Sequence, residues 1–387
     1  LLIARQRGAE IQGGFGLVKA EIDLMVALLL IGLPQAIFYF LNKGTLTWTY
    51  VRRLTTYHAL AAAAAVLVFE AGGRAALTAE RGVLGALALA VAVAALVAHG
   101  NLRAAALDAR SATVFSVVTA FPGLLLLVVV AATLAAGGMN GRGVTVVGPV
   151  LAAAYLLAFL CTMAVLWRIR DVNAAAAQPP SLTRLGKYGV STWIPAVAQN
   201  VSPVIALTWI DWRIDDPVGI GVFSAALLSL NLLLTPFAML VPLLFKRWVA
   251  IDADERRAEL HRLLLPTAGA CVAVAALTWF AQEPLIAATF GPEYLTRGGV
   301  FALLALGLWP QAASRLFGVM FSADGRPWFA VVGEIARVVT LAAGLYLFEI
   351  GQLVTLACLW VGAEFVAPAI GWLLSRRFAS HSVGSGS

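Results

Sequence analysis

The sequence predicts an all-α polytopic membrane protein of two parallel six-helix repeats, twelve helices in all, the first mostly missing from this chain. Three observations predict it: a scarcity of charge, apolar runs of membrane-spanning length, and an internal repeat. Of 387 residues, 61% are apolar and 12% charged, against about 45–50% and about 25% in an ordinary soluble domain. Twenty-seven basic and 20 acidic residues cannot cover a body of 40.7 kDa facing water. A bilayer accepts an apolar exterior, provided that helices satisfy their own backbone. The apolar runs have the length of about 20 residues that about 30 Å of hydrocarbon demands of a helix. Short alternating segments, the mark of a membrane barrel, are absent.

Eleven complete spans follow, each bounded by charge, glycine or proline. The first, 17–41, stops at Lys43-Gly44; 54–71 stops at Gly72-Gly73-Arg74; 83–99 follows Arg81-Gly82. Span 111–136 ends in Gly137-Gly138 and 145–167 at Arg168. Span 187–210 runs into Asp211, 219–245 into Lys246-Arg247, and 263–282 follows Arg262. The last three, 299–321, 328–348 and 352–374, are separated by Asp324-Gly-Arg-Pro327 and by Gly351 and stop at Arg376-Arg377. Leu1 to Ala4 read as the end of a further span, of which the repeat offset places about 20 residues upstream. A polar segment, Asp252 to Arg262, reads as a short amphipathic surface helix.

Alternate loops, counted with the first residues of the spans that follow them, hold 17 and 8 Lys plus Arg. By the positive-inside rule the richer set is cytoplasmic, and with it the C-terminus. The net charge of +7 is thus a matter of topology, and no nucleic acid is needed to explain it. The repeat is read from two matches. Gly14-Phe15, just ahead of span 17–41, and Leu33-Pro34 within it correspond to Val222-Phe223 and Val241-Pro242 in span 219–245, at an offset of 208; Asp108-Ala-Arg110 corresponds to Asp324-Gly-Arg326 at 216. Parallel halves related by an axis along the membrane normal give this pattern. The lobes are then 1–170 and 187–377, with a cytoplasmic linker at 171–186 that contains Pro179-Pro180 and a tail at 378–387 whose Gly-Ser end reads as an appended linker. Cys161, Cys271 and Cys358 lie in apolar runs, too far apart for a metal or disulfide framework, and read as core packing.

These residues resemble a known family. The Gly-Phe start and Gly32-Leu-Pro-Gln-Ala-Ile-Phe-Tyr-Phe40 finish of the first span, Gly221-Val-Phe-Ser-Ala-Ala226 with Val241-Pro-Leu-Leu244, Phe290-Gly-Pro-Glu-Tyr294 and Ala323-Asp-Gly-Arg-Pro327 resemble the polysaccharide-biosynthesis flippases. Those belong to the multidrug/oligosaccharidyl-lipid/polysaccharide exporter superfamily. The resemblance implies alternating access between two lobes around a central cavity, carrying an undecaprenyl-pyrophosphate-linked oligosaccharide outward across a bacterial inner membrane. It implies a monomer among membrane lipids, with a polysaccharide polymerase or other synthesis proteins as neighbours. The lipid II branch matches less well, having two further C-terminal helices and arginines where this chain has Phe38-Tyr39-Phe40. A cation-coupled drug exporter of the same fold is one alternative and a non-transporting scaffold for polysaccharide synthesis another.

No nucleophile-and-base set, metal-ligand spacing or phosphate-cradling loop is present, and the four histidines are scattered, so an enzyme is not expected. Ionisable groups at membrane depth are the default functional candidates. Arg315, Glu334, Arg337 and Glu364 are such groups. Glu334 and Arg337 share a helix face, and counting from the turns puts Arg315 level with Glu334 and Arg337 level with Glu364. They read as a net-neutral network, either a clamp on the last helices or a site coupled to H⁺ or Na⁺; the resemblance points to a cation in this lobe. Pro195, Gln199, Asn200 and Pro203 give span 187–210 a hinge and a polar cavity face. Gln35, Ser229 and Asn231 add sugar-binding groups, with interhelical hydrogen bonding as the alternative. Lys246-Arg247 and Arg52-Arg53, with Arg184 and Lys187, form a basic cytoplasmic mouth for pyrophosphate, unless they serve only orientation and lipid contact. Lys19, Glu21 and Asp23 read as a solvated helix end or an exit gate.

Overall fold

The computed structural model describes residues 2–42, 45–72, 82–108, 112–139, 144–167, 181–297 and 299–382. Residues 168–180, with them most of the linker, most of Asp108-Ala-Arg110 and the Gly-Ser tail lie outside them. The described residues are helical: α1 (Leu2–Leu30), α2 (Leu33–Asn42), α3 (Trp48–Gly72), α4 (Val83–Asp108), α5 (Ala112–Ala135), α6 (Val144–Leu166), α7 (Leu182–Trp209), α8 (Pro217–Leu233), α9 (Thr235–Val249), α10 (Ala253–Phe280), α11 (Gln282–Thr289), α12 (Gly299–Ala305), α13 (Leu308–Ala323), α14 (Trp328–Phe348), α15 (Leu353–Glu364) and α16 (Val366–Ser382). Among these residues nine helical stretches are long and apolar enough to cross a membrane, or eleven if each of two bent pairs is one span. These match the eleven expected spans.

The bent pairs are α1 with α2, at 49°, and α8 with α9, at 40°, the two spans that the repeat aligned. Each second segment carries proline at its second position, Pro34 and Pro236. Proline has no N–H to give the preceding turn, so a helix restarts most cheaply just before one. The second break, at Leu234, comes earlier in its span than the first, at Ile31-Gly32, so the halves correspond in kind and not residue by residue.

The chain forms two compact units, which divide at Asn200/Val201. In the N-terminal unit, residues 10–200, α4 packs against α2, α3, α5 and α6. Its small and branched side chains fit that central place: Leu89, Ala92, Val93, Val97 and Leu102 are fully buried. By contrast Leu124, Leu127 and Val128 of α5 are exposed, as an outer membrane helix requires. Ile37, Phe40, Trp48, Val51, Leu102, Leu166 and Leu185 form one apolar cluster. The start of α7 therefore packs in this unit, although the sequence pattern assigns it to the second lobe. Gly32 and Gly189 explain the contact: a Cβ on Gly32 would overlap the Gly189 carbonyl, so only paired glycines let these backbones meet.

The C-terminal unit contains residues 201–387 and also 3–9. The chain kinks at Gly8, whose φ is +85°. Ahead of it Arg5 donates to the Ala288 carbonyl at 2.9 Å, and the Ala9 carbonyl touches Gly221 where a Cβ would collide. Within the unit α13 packs against α9, α10, α14 and α16, with Trp248, Leu260, Leu316, Phe317, Met320 and Phe321 buried together. Asp252 caps α10 by accepting from the Asp254 and Glu255 amides. The polar stretch after it is no separate surface helix; it forms the first turns of α10 because Arg256 is drawn inward. That side chain, 6% exposed, donates to the Trp248 and Ile251 carbonyls at 2.8 Å each and to Asp324. It thereby fastens the α9–α10 turn to the loop that holds Asp324-Gly-Arg326. Tyr294, fully buried against Phe290 and Phe301, has a phenol pushed up by burial and by neighbouring Glu293. Of the cysteines only Cys271 is buried, and Cys358 is exposed, so core packing holds for one of the three.

Candidate functional site

In the C-terminal unit the polar centre stands near the middle of α14. Glu334 and Arg337, one turn apart, are each 4% exposed, as is Glu364 at the end of α15. Arg337 Nε donates to Glu334 Oε2 at 2.8 Å, and Nη1 donates to Glu364 Oε1 at 2.6 Å and to Ser202 Oγ of α7 at 3.0 Å. Ser314 of α13 donates to the other oxygen of Glu334 at 2.8 Å. One guanidinium thus gathers side chains from three helices, and a serine from a fourth completes the set. The approach depends on Gly333, where a Cβ would lie 3.1 Å from the Ala367 carbonyl of α16.

Of the two expected pairings, one forms. Arg337 and Glu364 meet as their depth predicted. Arg315 and Glu334 do not: half-buried Arg315 forms no ion pair among the described residues. Its neighbour Ser314 takes the Glu334 oxygen, because adjacent helical residues face about 100° apart and only one can point at the acid. Arg315 still feels the field of both acids.

The expected cavity residues divide between the units. Gln35 and Gln199 are exposed and Asn200 half-buried in the N-terminal unit; Ser229 is half-buried and Asn231 exposed in the C-terminal one. Asn200 Nδ2 donates to the Ala196 carbonyl at 2.8 Å and Ser229 to the Ala225 carbonyl at 2.9 Å, both within their own helices. Pro195 and Pro203 do not break α7, which continues through them. Neighbouring helices and side chains make such prolines tolerable in a membrane helix, and the irregular turn comes later, as a π-helix at Ile210–Ile214.

Among the basic residues, Arg52 lies over the Trp48 and Trp167 rings, 6.0 and 5.7 Å from their centroids. Arg184 lies 5.7 Å from the Phe40 ring. Trp48 and Phe40 belong to one cluster, which brings these two arginines to the same region of the N-terminal unit, with Arg53 and Lys187 exposed nearby in sequence. In the other unit Lys246 and Arg247 are exposed, and Arg247 pairs with Glu259 at 3.1 Å.

Two arrangements were not legible beforehand. At the α1–α2 break, Ile31 and Gly32 both have positive φ, +47° and +65°, and the carbonyls one turn earlier lose their helical partners. Trp193 Nε1 donates to Ala27 and Leu28 at 2.9 and 3.0 Å. His58 Nε2 donates to Leu29 at 2.7 Å, and its Nδ1 accepts from Asn101 at 3.0 Å. Trp193→Phe leaves both carbonyls without the indole N–H and is expected to cost about 1–3 kcal/mol; a lowered unfolding temperature of the detergent-solubilised protein is the check. The second is the place of Lys19 and Asp23 in their helix; that they pair at i, i+4, as they do, follows from their spacing. These residues do not end a helix, because α1 continues back through Glu10 and Gln12; they sit in its middle.

No family model and no curated protein matches the sequence. Solved structures do. An inward-facing multidrug resistance MATE family transporter of the MOP superfamily has a TM-score of 0.73 at 17% identity, covering 99% of this chain and 93% of that one. Its outward-facing counterpart gives 0.73 at 16%, covering 98% and 90%. A MOP superfamily transporter from Pyrococcus furiosus, described as having a binding pocket of reverse polarity that suggests a different function, gives 0.68 at 15%, covering 96% and 88%. At these identities the likeness is one of fold: over nearly its whole length this chain folds as those transporters do.

Proposed function

We propose that the protein is a flippase that moves an undecaprenyl-pyrophosphate-linked oligosaccharide from the cytoplasmic to the outer leaflet of a bacterial inner membrane by alternating access. The observation that carries this reading is the state of the two most buried acids among the described residues. An exporter of organic cations needs carboxylates to offer its substrate; Glu334 and Glu364 are both held by Arg337. The remaining polar groups suit an anionic, sugar-bearing substrate: exposed Gln35, Gln199 and Asn231, and the cations Arg52, Arg53, Arg184, Lys187, Lys246 and Arg247. A different function is suggested for the Pyrococcus furiosus transporter, on the reverse polarity of its binding pocket. The loop imbalance supports a cytoplasmic C-terminus.

In this reading two lobes rock about the substrate, and no bond is made or broken. Basic groups gather the pyrophosphate at the cytoplasmic side, and amides and hydroxyls exchange hydrogen bonds with sugar. Clean deletion of the gene is expected to abolish a surface polysaccharide and to leave its lipid-linked intermediate in the membrane, identified by mass spectrometry of extracted lipids. Normal polysaccharide together with sensitivity to toxic organic cations would assign the protein to drug export.

A further inference from the structure

Two histidines of the N-terminal unit differ in what their partners allow. His99 of α4, 5% exposed, meets the Thr162 hydroxyl through Nδ1 at 3.0 Å. Thr162 gives its one proton to the Ala158 carbonyl at 2.8 Å, so it accepts from His99 Nδ1–H and fixes that tautomer. His58 of α3 is half-buried. Its Nε2 lies 2.7 Å from the Leu29 carbonyl and its Nδ1 3.0 Å from Asn101 Nδ2. A carbonyl only accepts and an amide nitrogen only donates, so this ring is neutral, with its proton on Nε2.

Asn101 can nonetheless serve the ring in either charge state. Its NH2 donates to a neutral Nδ1; turned over about the Cβ–Cγ bond, its carbonyl accepts from a protonated one. A buried amide is ordinarily bonded at both ends and so held one way round. Asn101 is fully buried, yet its Oδ1 has no hydrogen-bond partner among the described residues. Reversal therefore breaks only the bond that it replaces. None of the charged or titratable groups on the surrounding helices bonds to His58. Arg52 of α3 lies over Trp48 and Trp167, Asp23 of α1 pairs with Lys19, and His99 is taken by Thr162. Arg53 of α3, Arg103 of α4 and Lys187 of α7 are exposed. The charge on the ring is thus answered by one amide and one carbonyl.

That carbonyl belongs to the break between α1 and α2, against which Gly100 sets α4: a Cβ there would lie 3.3 Å from a Leu30 methyl. We propose that His58 and Asn101 make the break a proton-binding site, in which a proton taken up at His58 Nδ1 turns the Asn101 amide over and tightens the hold on the Leu29 carbonyl. The proton comes from solvent, forms the Nδ1–H bond and leaves when that bond breaks; the ring gains one positive charge. Its Nε2–H then makes a charge-assisted bond to Leu29, stronger than the neutral one. By linkage, proton uptake and the break favour each other. The site is independent of which substrate is carried, and it puts a proton in the unit that does not contain Arg337.

Magic-angle-spinning NMR of the full chain in liposomes tests this, with ring-¹⁵N histidine and ¹³C-carbonyl leucine, over a range of about pH 8 to about pH 4.5 that brackets histidine titration. His58 is identified by the signals lost in His58→Gln, and the Leu29 carbonyl by those lost in Leu29→Ile. At the alkaline end the ring is expected to carry one proton, on Nε2. On acidification both nitrogens become protonated, and the Leu29 carbonyl shifts with the same midpoint. Asn101→Asp, which can only accept, should raise the proton affinity of His58 about tenfold or more. Asn101→Leu, which can neither give nor accept, should lower it about tenfold. Unfolding temperatures near the parent's show that the variants fold; if one does not, the other and the parent titration carry the test. A ring that keeps a single proton to the acid end, a midpoint equal in the parent and both variants, or a Leu29 carbonyl that does not follow the titration would each overturn the proposal.

Discussion

Arg337→Met is expected to destabilise the protein by about 3–5 kcal/mol, because it leaves Glu334 and Glu364 buried with no cation between them. The measurement is thermal or denaturant unfolding of the detergent-solubilised protein. Exchanging all three charges at once, Arg337→Met with Glu334→Gln and Glu364→Gln, should recover most of the loss, since neutral amides at the same depth need only hydrogen bonds. A single variant as stable as the parent would show that the triad is not a clamp. Swapping Arg337 with Glu364 separates the two readings of the network. A clamp tolerates the exchange and transport returns; a site coupled to H⁺ or Na⁺ refolds without transport.

Gly32→Val is expected to abolish folded protein. Gly32 has φ +65°, a left-handed conformation that costs an L-residue about 1–2 kcal/mol, and branching at Cβ makes it worse. Steric overlap costs more. The new Cβ would overlap the carbonyl oxygen of Gly189, and that obstacle is backbone, which cannot rotate aside as a side chain can. The cluster of Ile37, Phe40, Trp48 and Leu185 depends on this approach of α2 to the start of α7. Gly269→Ala provides the control. Nothing lies within 4 Å of a Cβ there, and alanine is the better helix former, so size-exclusion chromatography should show a normal monodisperse peak. An equally normal peak for Gly32→Val would contradict the close contact.

The eleven spans were legible because a bilayer imposes one length and one polarity on every crossing, and hydropathy reports both. The two spans matched by their Leu33-Pro34 and Val241-Pro242 pairs are the two that bend, although the second bend comes at Pro236 and Pro242 lies inside α9. What failed was the extent of a helix near polar stretches. The apolar run begins at Leu17, so Lys19 and Asp23 read as a helix end; yet Gln12, a polar residue earlier in the same helix, is buried by the fold and not solvated. Depth counting succeeded for Arg337 and Glu364, where both hairpins are regular. It could not choose between Ser314 and Arg315 as the partner of Glu334, since a one-residue step turns a side chain by about 100°. Trp193 and His58 carry no sequence signal for their roles, because the carbonyls that they satisfy are freed only by the backbone break at Ile31-Gly32.

If the protein is a flippase, what crosses the bilayer is a lipid-linked anionic saccharide, and that movement can be followed in liposomes. Purified protein is reconstituted with an undecaprenyl-pyrophosphate-linked oligosaccharide in both leaflets and a membrane-impermeant lectin outside. Protein-containing vesicles are expected to expose the inner-leaflet pool to the lectin, while protein-free vesicles expose only the outer half. Exposure limited to the outer half in both, alongside protein-dependent movement of an organic cation, would contradict the flippase reading.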